Sequence, residues 1–414
     1  MNLISIIKSN FFLLFFISFF LTIILCLITK SYKILTSIIA SYLALIFLSG
    51  ALIFIQKKNK IEDGRKLVLE KKAEALLIKP TSFLEHYDGR LLTEFLKYDP
   101  NNDDILFPLG TIPNRNIIIC EEDEGPIVKL SDRYGFFNKD NLWNIKKHNI
   151  LLVGDSHVMG SCVHEPHFKI LNEKFNIKTV ALGIGGNGPL ITYATTKEYL
   201  EKYNSDYIYY ILATNDYSYP NFSVLAIDFV KETQNEILLK TLKTNFTQGY
   251  FEKGALNKLS KNLFQHSQDL VVMYNVNKSA ANITFLKEFF SLRYLLRTSY
   301  NIISPILNPG IRFMDSVNEE LLIETYKKTN ALKPNKVVFV IKPNTNCEFS
   351  DDSEYIYIRE ILRIANIKKE NILDTTKNLC KKKFFSMKGN HLNQDGYSTL
   401  TNIIKKDYDL RKNN

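Results

Sequence analysis

Three kinds of residue in this sequence could together carry out acyl-transfer chemistry. Ser156 follows the short apolar run 149–153, His391 lies near the carboxyl terminus, and Asn215 and the glycine-rich stretch 183–189 lie between them. A serine becomes a nucleophile when a base, usually a histidine, takes its proton, and the negative oxygen formed on attack needs fixed hydrogen-bond donors. We therefore expect Ser156 to be the nucleophile and His391 the base, with loop amides and the Asn215 side chain as donors.

A parallel sheet would bring these residues together. Apolar runs predict strands at 149–153, 178–182, 207–213 and 336–341 and a short strand ending at Asp374, and helical patterns lie at 165–175, 190–203 and 354–365, with a final helix ending near Tyr408. This alternation predicts an α/β fold. The first three strands end in polar or glycine-rich loops, which lie along one edge of a parallel sheet, so the candidate residues should converge.

The remaining segments are accessory to that sheet. The stretch 61–130 predicts a linker followed by a small hairpin, with strands at 115–120 and 126–130. The stretch 217–332 breaks the rhythm with amphipathic patterns such as 226–243 and 283–303, and we interpret it as a helical insertion over the rim of the sheet. The domain that carries the candidate residues would then run from 131 to 410.

The first 60 residues predict a transmembrane hairpin. Residues 11–29 form a run of 19 without a charge, and residues 34–55 form a second run of 22. Each is close to the roughly 20 residues that span a bilayer core. A cleaved signal peptide is the alternative, but the first run is too long for one and no small-residue cleavage site follows it.

The side of the membrane that holds the large domain is open. Five basic residues follow the second apolar run, namely Lys57, Lys58, Lys60, Arg65 and Lys66, and this charge pattern favours the cytoplasmic side. Four cysteines follow the hairpin, namely Cys120, Cys162, Cys347 and Cys380. They could form two disulfide bonds in an oxidising compartment, or remain four buried thiols.

Composition excludes several classes of protein. With 45% hydrophobic and 23% charged residues among 414, the chain can build a large folded core. The net charge of +10 comes from scattered lysines with no compact basic patch, so we expect no nucleic-acid partner. His157, His164 and His167 have no supporting carboxylate pattern, so we expect no metal and no other cofactor.

Four sequence blocks resemble the SGNH, or GDSL, hydrolase superfamily. They are the Gly-Asp-Ser-His motif at 154–157, Gly186, Asn215 within Thr-Asn-Asp, and His391 in a His-x-Asn-x-x-Gly context. The similarity covers about 131–410 without the insertion. The longer stretches 131–138, 154–163 and 182–200 are similar to membrane-anchored bacterial members that are often associated with cell-surface polysaccharides.

The resemblance implies a three-layer α/β/α sandwich, flavodoxin-like in type, with ester-cleaving or acyl-transferring chemistry. It assigns Ser156 as nucleophile and, through its amide, as an oxyanion donor, Gly186 as a second donor, Asn215 as a third, and His391 as base. One position departs from the pattern, because the superfamily has an aspartate three residues before the histidine and this chain has Lys388. Asp374, Asp395 or a backbone carbonyl could orient the histidine instead.

These observations leave three hypotheses. The first is a membrane-anchored esterase or deacylase acting on an acylated small molecule or glycan, such as an O-acylated saccharide. The second is a polysaccharide O-acyltransferase, which shares the first half-reaction, and the third is a binding module that has lost catalysis. We expect a multi-pass protein of the bacterial inner membrane, with the lipid bilayer as a partner, and the role of similar proteins would favour a periplasmic domain. Ser156 could also serve only as a helix cap.

Overall fold

The computed structural model describes residues 37, 106–111, 113–114, 116–122, 125–185, 187–212, 236–256, 316–343, 353–386 and 391–413. The chain divides into two compact units, one of Met1–Gly64 and Asn275–Gly310 and the other of Arg65–Tyr274 and Ile311–Asn414. All described residues except residue 37 belong to the second unit. Within the described ranges, no helix is both long enough and apolar enough to cross a membrane. The predicted transmembrane hairpin lies outside those ranges and stays a prediction.

Seven strands form two sheets in the described part of the chain. Strands β1 (Asn116–Glu122) and β2 (Gly125–Leu130) pair as an antiparallel hairpin. The main sheet contains β3 (Lys147–Gly154), β4 (Thr179–Gly183), β5 (Asn204–Leu212), β6 (Val337–Ile341) and β7 (Ile372–Asp374). All its pairings are parallel, in the order β4-β3-β5-β6-β7. The predicted α/β fold is thereby confirmed.

The central strands are apolar along most of their length. Residues 150–153 of β3 and all of β6 are fully buried, as is every position of β4. Strands that bury consecutive side chains are covered on both faces, which is typical of parallel sheets in α/β proteins.

Eight α-helices are described, and their contacts form two groups. They are α1 (Ser156–Met159), α2 (His167–Glu173), α3 (Pro189–Lys202), α4 (Glu236–Lys243), α5 (Ser316–Leu332), α6 (Ser353–Ile364), α7 (Thr376–Leu379) and α8 (Gln394–Asn413). Helix α2 packs against α8, whereas α3 packs against α4 and α5, and α5 against α6. The chain passes from β3 to β4 at one edge of the sheet, and then crosses back over β3 to β5 and on towards β7 in the opposite direction. Because parallel crossovers are right-handed, α2 lies on the opposite face from α3, α5 and α6.

Most predicted elements lie within three residues of the observed ones, but the predicted end of the last helix was wrong. Helix α8 continues past Tyr408 to Asn413 because Arg411 bonds Asp407 one turn back, at 2.6 Å, and Asn371 at 3.2 Å. Helix α2 spans seven residues rather than the predicted 165–175, since Pro166 precedes it. Of the predicted insertion, only 236–256 and 316–332 are described.

Candidate functional site

Ser156 is held at the end of a central strand by backbone geometry. Gly154 ends β3 at a φ of 150°, and a Cβ there would lie 2.8 Å from the Ile211 carbonyl oxygen. The Asp155 carboxylate then caps α1 by accepting the His157 N–H at 2.9 Å. Asp155 is therefore the cap, and Ser156 is the first helical residue, whose N–H has no acceptor within the helix.

The end of β4 packs directly on this serine loop. A Cβ on Gly183 would lie 2.4 Å from Val158 Cβ, 2.5 Å from the Met159 nitrogen and 2.6 Å from the Asp155 carbonyl oxygen. The loop after Gly183 contains Gly186, which lies outside the described residues. Asn187 follows it, is 1% exposed, and its side-chain amide has no hydrogen-bond partner among the described residues.

The His391 loop is organised by the asparagine and glycine of its motif. The Asn393 amide donates to the Lys383 carbonyl at 2.7 Å and to the Phe385 carbonyl at 3.2 Å, and its oxygen accepts the Gly396 N–H at 3.0 Å. A Cβ on Gly396 would lie 2.2 Å from the Phe384 carbonyl oxygen. These contacts explain the His-x-Asn-x-x-Gly spacing, because both motif residues hold the loop against the segment 383–385.

A side-chain tie links the two loops. Gln394, the first residue of α8, donates to the Glu165 carbonyl at 2.8 Å and accepts the Glu165 N–H at 3.2 Å. Glu165 lies nine residues after Ser156 and just before α2. The tie therefore fixes the start of α8, and the adjacent His391, relative to the serine loop.

Ser156 and His391 come into direct contact. The Ser156 hydroxyl oxygen lies 3.0 Å from His391 Nε2, and both residues are partly exposed. This distance falls within the range that joins a nucleophile to its base. With its proton on Nδ1, His391 would accept the Ser156 hydroxyl proton at Nε2.

The other nitrogen of His391 faces a sulfur atom. Cys162 Sγ lies 3.5 Å from His391 Nδ1. Of the two aspartates considered from the sequence, Asp374 bonds Arg359 and Thr376, and Asp395 is exposed. Lys388, Gly186 and Asn215 lie outside the described residues, so their predicted positions in the site stay predictions.

A second imidazole lies beside the first. The His157 ring is buried, and its centroid is 5.0 Å from that of His391. Burial, and then the positive charge of Lys342, hold the pKa of His157 well below its ordinary value, so it remains neutral. Lys342 directly follows β6, is 2% exposed, and donates to the Pro343 carbonyl at 2.7 Å.

The three histidines considered for a metal site differ in their exposure to solvent. His167 is fully buried and stacks on Tyr397, with ring centroids 5.3 Å apart, and burial lowers its pKa to about 3. His164 is exposed. Across the described ranges, no group of three or more histidine, cysteine or acidic residues could hold a metal ion.

Two cysteines of the domain are oxidised. Cys162 and Cys380 each take part in a disulfide bond. The side chain of Cys120 and all of Cys347 lie outside the described residues. Disulfide bonds were one of the two states that the sequence left open, and they are unusual in cytosolic domains.

Sequence reasoning missed Cys162 as a neighbour of the base and Lys342 as a charge that acts on His157. Cys162 lies six residues after Ser156, within a block that resembles the superfamily, but it was considered only for disulfides. Lys342 carries the same signal as Ser156, a polar residue that directly follows a buried strand. Asn187 was included only as part of a glycine-rich loop, and nothing in the pattern singled it out.

A cavity of about 370 Å³ lies away from Ser156 and His391, between β2 and α2. Its lining includes Lys129, whose pKa burial and then the Lys169 charge lower to about 7. The Lys129 ammonium donates to the Gly160 carbonyl at 2.6 Å, so it supports the loop that follows α1.

Comparison with known proteins adds no identification. No protein-family model matches the chain, and no curated protein matches it at a significant level. The functional interpretation therefore depends on the residues and distances given above.

Proposed function

We propose that this chain is a membrane-anchored serine esterase or deacylase of the SGNH type, acting on an O-acylated saccharide or a similar ester. The observation that carries the proposal is the 3.0 Å contact between the Ser156 hydroxyl and His391 Nε2. These residues lie 235 positions apart in the sequence and meet at the carboxyl edge of the sheet. Their contact supplies a nucleophile with its base.

The chemistry follows from that contact. The Ser156 oxygen attacks the acyl carbonyl carbon while its proton passes to His391, which then protonates the departing alcohol. Water, deprotonated by the same histidine, releases the acid and restores the serine. The Ser156 N–H is a donor for the tetrahedral oxyanion, and we assign the other two donor positions to the Gly186 N–H and the Asn215 side chain.

The strand order supports the three-layer sandwich that this assignment implies. Numbered within the main sheet alone, the strands are ordered 2-1-3-4-5, as in flavodoxin-like folds. The order reverses at β3, and ligands of such folds bind outside the carboxyl ends of strands at that point. Ser156 is two residues beyond the end of β3.

The disulfide bonds support an extracytoplasmic domain. Disulfides at Cys162 and Cys380 persist in an oxidising environment, which for an inner-membrane protein is the periplasmic side. We therefore propose that the amino-terminal hairpin anchors the domain to the bacterial inner membrane with the site facing the periplasm.

A binding module is the second candidate, and one observation favours it. Lys388 stands where the superfamily has an aspartate, and Asp374 bonds Arg359 instead. Loss of the orienting carboxylate costs about ten-thousand-fold in a serine protease triad. A chain with this deficit could keep the pocket and bind an acylated glycan without cleaving it.

Covalent labelling separates these candidates. The full-length chain in detergent, without reductant, is treated with a fluorescent fluorophosphonate, beside Ser156→Ala and the control Ser161→Ala, which alters a buried serine of the same loop. We expect labelling of the wild type and of Ser161→Ala but not of Ser156→Ala. No labelling of a folded wild-type protein would favour the binding module. Free acetate release, compared with transfer to an added glycan, then distinguishes hydrolysis from acyl transfer.

A further inference from the structure

A cysteine sulfur lies 3.5 Å from Nδ1 of His391, the ring nitrogen that does not face Ser156. We propose that Cys162 is a positioning residue for His391, and that its disulfide sulfur accepts the Nδ1–H and so orients the ring. This inference rests on the proposed function, since it concerns how the same base is held.

Contacts at the two ring nitrogens of His391 indicate which of them carries the proton. His391 has Ser156 Oγ at 3.0 Å from Nε2 and Cys162 Sγ at 3.5 Å from Nδ1. A neutral imidazole has one N–H and one lone pair, and a disulfide sulfur has no proton to give. A hydrogen bond to sulfur therefore places the proton on Nδ1 and leaves the Nε2 lone pair directed at the serine hydroxyl.

The backbone at Cys162 is held in a conformation that a non-glycine residue rarely adopts. Its φ is 69°, in the left-handed region, and the residue is only 5% exposed. Such conformations are unfavourable and persist where the surroundings hold them in place, which occurs often at functional sites. Here the disulfide bond is one such restraint.

The chemistry of sulfur sets the size of the effect. A disulfide sulfur is an uncharged and weak acceptor, so it orients the ring but stabilises the imidazolium much less than a carboxylate would. We expect its loss to slow the reaction by about five- to tenfold, the range of an ordinary neutral hydrogen bond.

A matched pair of variants tests the acceptor separately from the disulfide. Cys162→Ala and Cys162→Ser both remove the same disulfide bond, but only serine keeps an acceptor for Nδ1–H. Cys380→Ala removes a disulfide bond while leaving the Cys162 sulfur in place. The readout is the second-order rate constant of fluorophosphonate labelling of the full-length chain, normalised to the folded fraction from thermal unfolding.

We expect the wild type and Cys380→Ala to agree within about twofold, Cys162→Ala to be about five- to tenfold slower, and Cys162→Ser to recover part of that loss. Equal rates for the alanine and serine variants would overturn the positioning role, because the acceptor would then have no effect. An unchanged rate in Cys162→Ala would overturn it too. Absence of wild-type labelling is a different result, since it refutes the nucleophile itself.

Discussion

The serine loop and the histidine loop are held by different means. Ser156 is positioned by its own backbone, since Gly154 allows the end of β3 to approach the Ile211 carbonyl and Gly183 allows the serine loop to pack on the end of β4. His391 is positioned by side chains, chiefly Asn393 within its loop and Gln394 across to Glu165. The nucleophile is thus part of the sheet framework, whereas the base depends on a few hydrogen bonds.

This difference indicates where the two parts tolerate change. Alterations of the serine loop should cost folding free energy, because the loop is continuous with the packed core. Alterations around the base should cost rate first, because a displaced ring loses its contact with the nucleophile while the sheet stays intact. Four predictions test that contrast.

Removing the base should have the largest effect. His391→Ala leaves Ser156 without a proton acceptor, and we expect fluorophosphonate labelling to slow by about a thousandfold or more. His164→Ala is the control, since His164 is exposed and lines the cavity away from the site. Labelling of His391→Ala within tenfold of the wild type would mean that another group activates the serine.

Filling the space at Gly183 should destabilise the serine side. The added Cβ of Gly183→Ala would lie within 2.6 Å of backbone atoms of Met159 and Asp155, which cannot rotate away. We expect the free energy of unfolding to fall by about 1–3 kcal/mol, measured by urea denaturation, together with slower labelling. Gly249→Ala is the comparison, because its Cβ would come no closer than 3.4 Å to a neighbour. Its labelling should be unchanged even if its φ of 70° costs stability.

Untying the base loop should reduce rate more than stability. Asn393→Ala removes three hydrogen bonds of the His391 loop, and we expect about tenfold slower labelling per folded molecule. Asn172→Ala is a matched control, because Asn172 also makes three such bonds, to the Phe168 carbonyl and to both backbone groups of Thr179. Equal slowing in both variants would show that the effect is general destabilisation.

Acid should weaken the contact between the two helices that follow the loops. His167 in α2 is buried against Tyr397 of α8, and its pKa is about 3 when folded and 6.5 as the ordinary value. As pH falls below about 6.5, the unfolded chain binds a proton that the folded one does not, so stability falls by about 1.4 kcal/mol per pH unit.

His167→Phe should keep the stacking on Tyr397 and remove the loss of stability that comes from protonation of His167. We expect the variant to lose less stability than the wild type between pH 6 and pH 4, by about 1.4 kcal/mol per unit in urea unfolding. The buried His157, whose pKa is lowered in the same direction, would account for acid sensitivity that remains. An identical pH dependence in variant and wild type would contradict the assignment to His167.

The order of strands and helices was largely readable from the sequence, whereas contacts were not. Buried runs such as those of β3 and β6 are continuous and bounded by polar loops, so their strands were predicted within three residues. The end of α8 was not, because it depends on the distant partner Asn371. Ser156 and His391 were predicted from their types and context, and their 3.0 Å separation came only from the structure.

By itself, the sequence determined a parallel α/β sheet with Ser156 at a strand end, since apolar periodicity and local turn residues act over a few positions. It also indicated that the aspartate expected before His391 was missing. Only the tertiary structure decided what lies beside the base, a cysteine sulfur on Nδ1 and a neutral, buried imidazole nearby. Those neighbours are brought beside His391 by crossovers and loop packing, not by their spacing along the chain. Such long-range contacts leave no local pattern in the sequence.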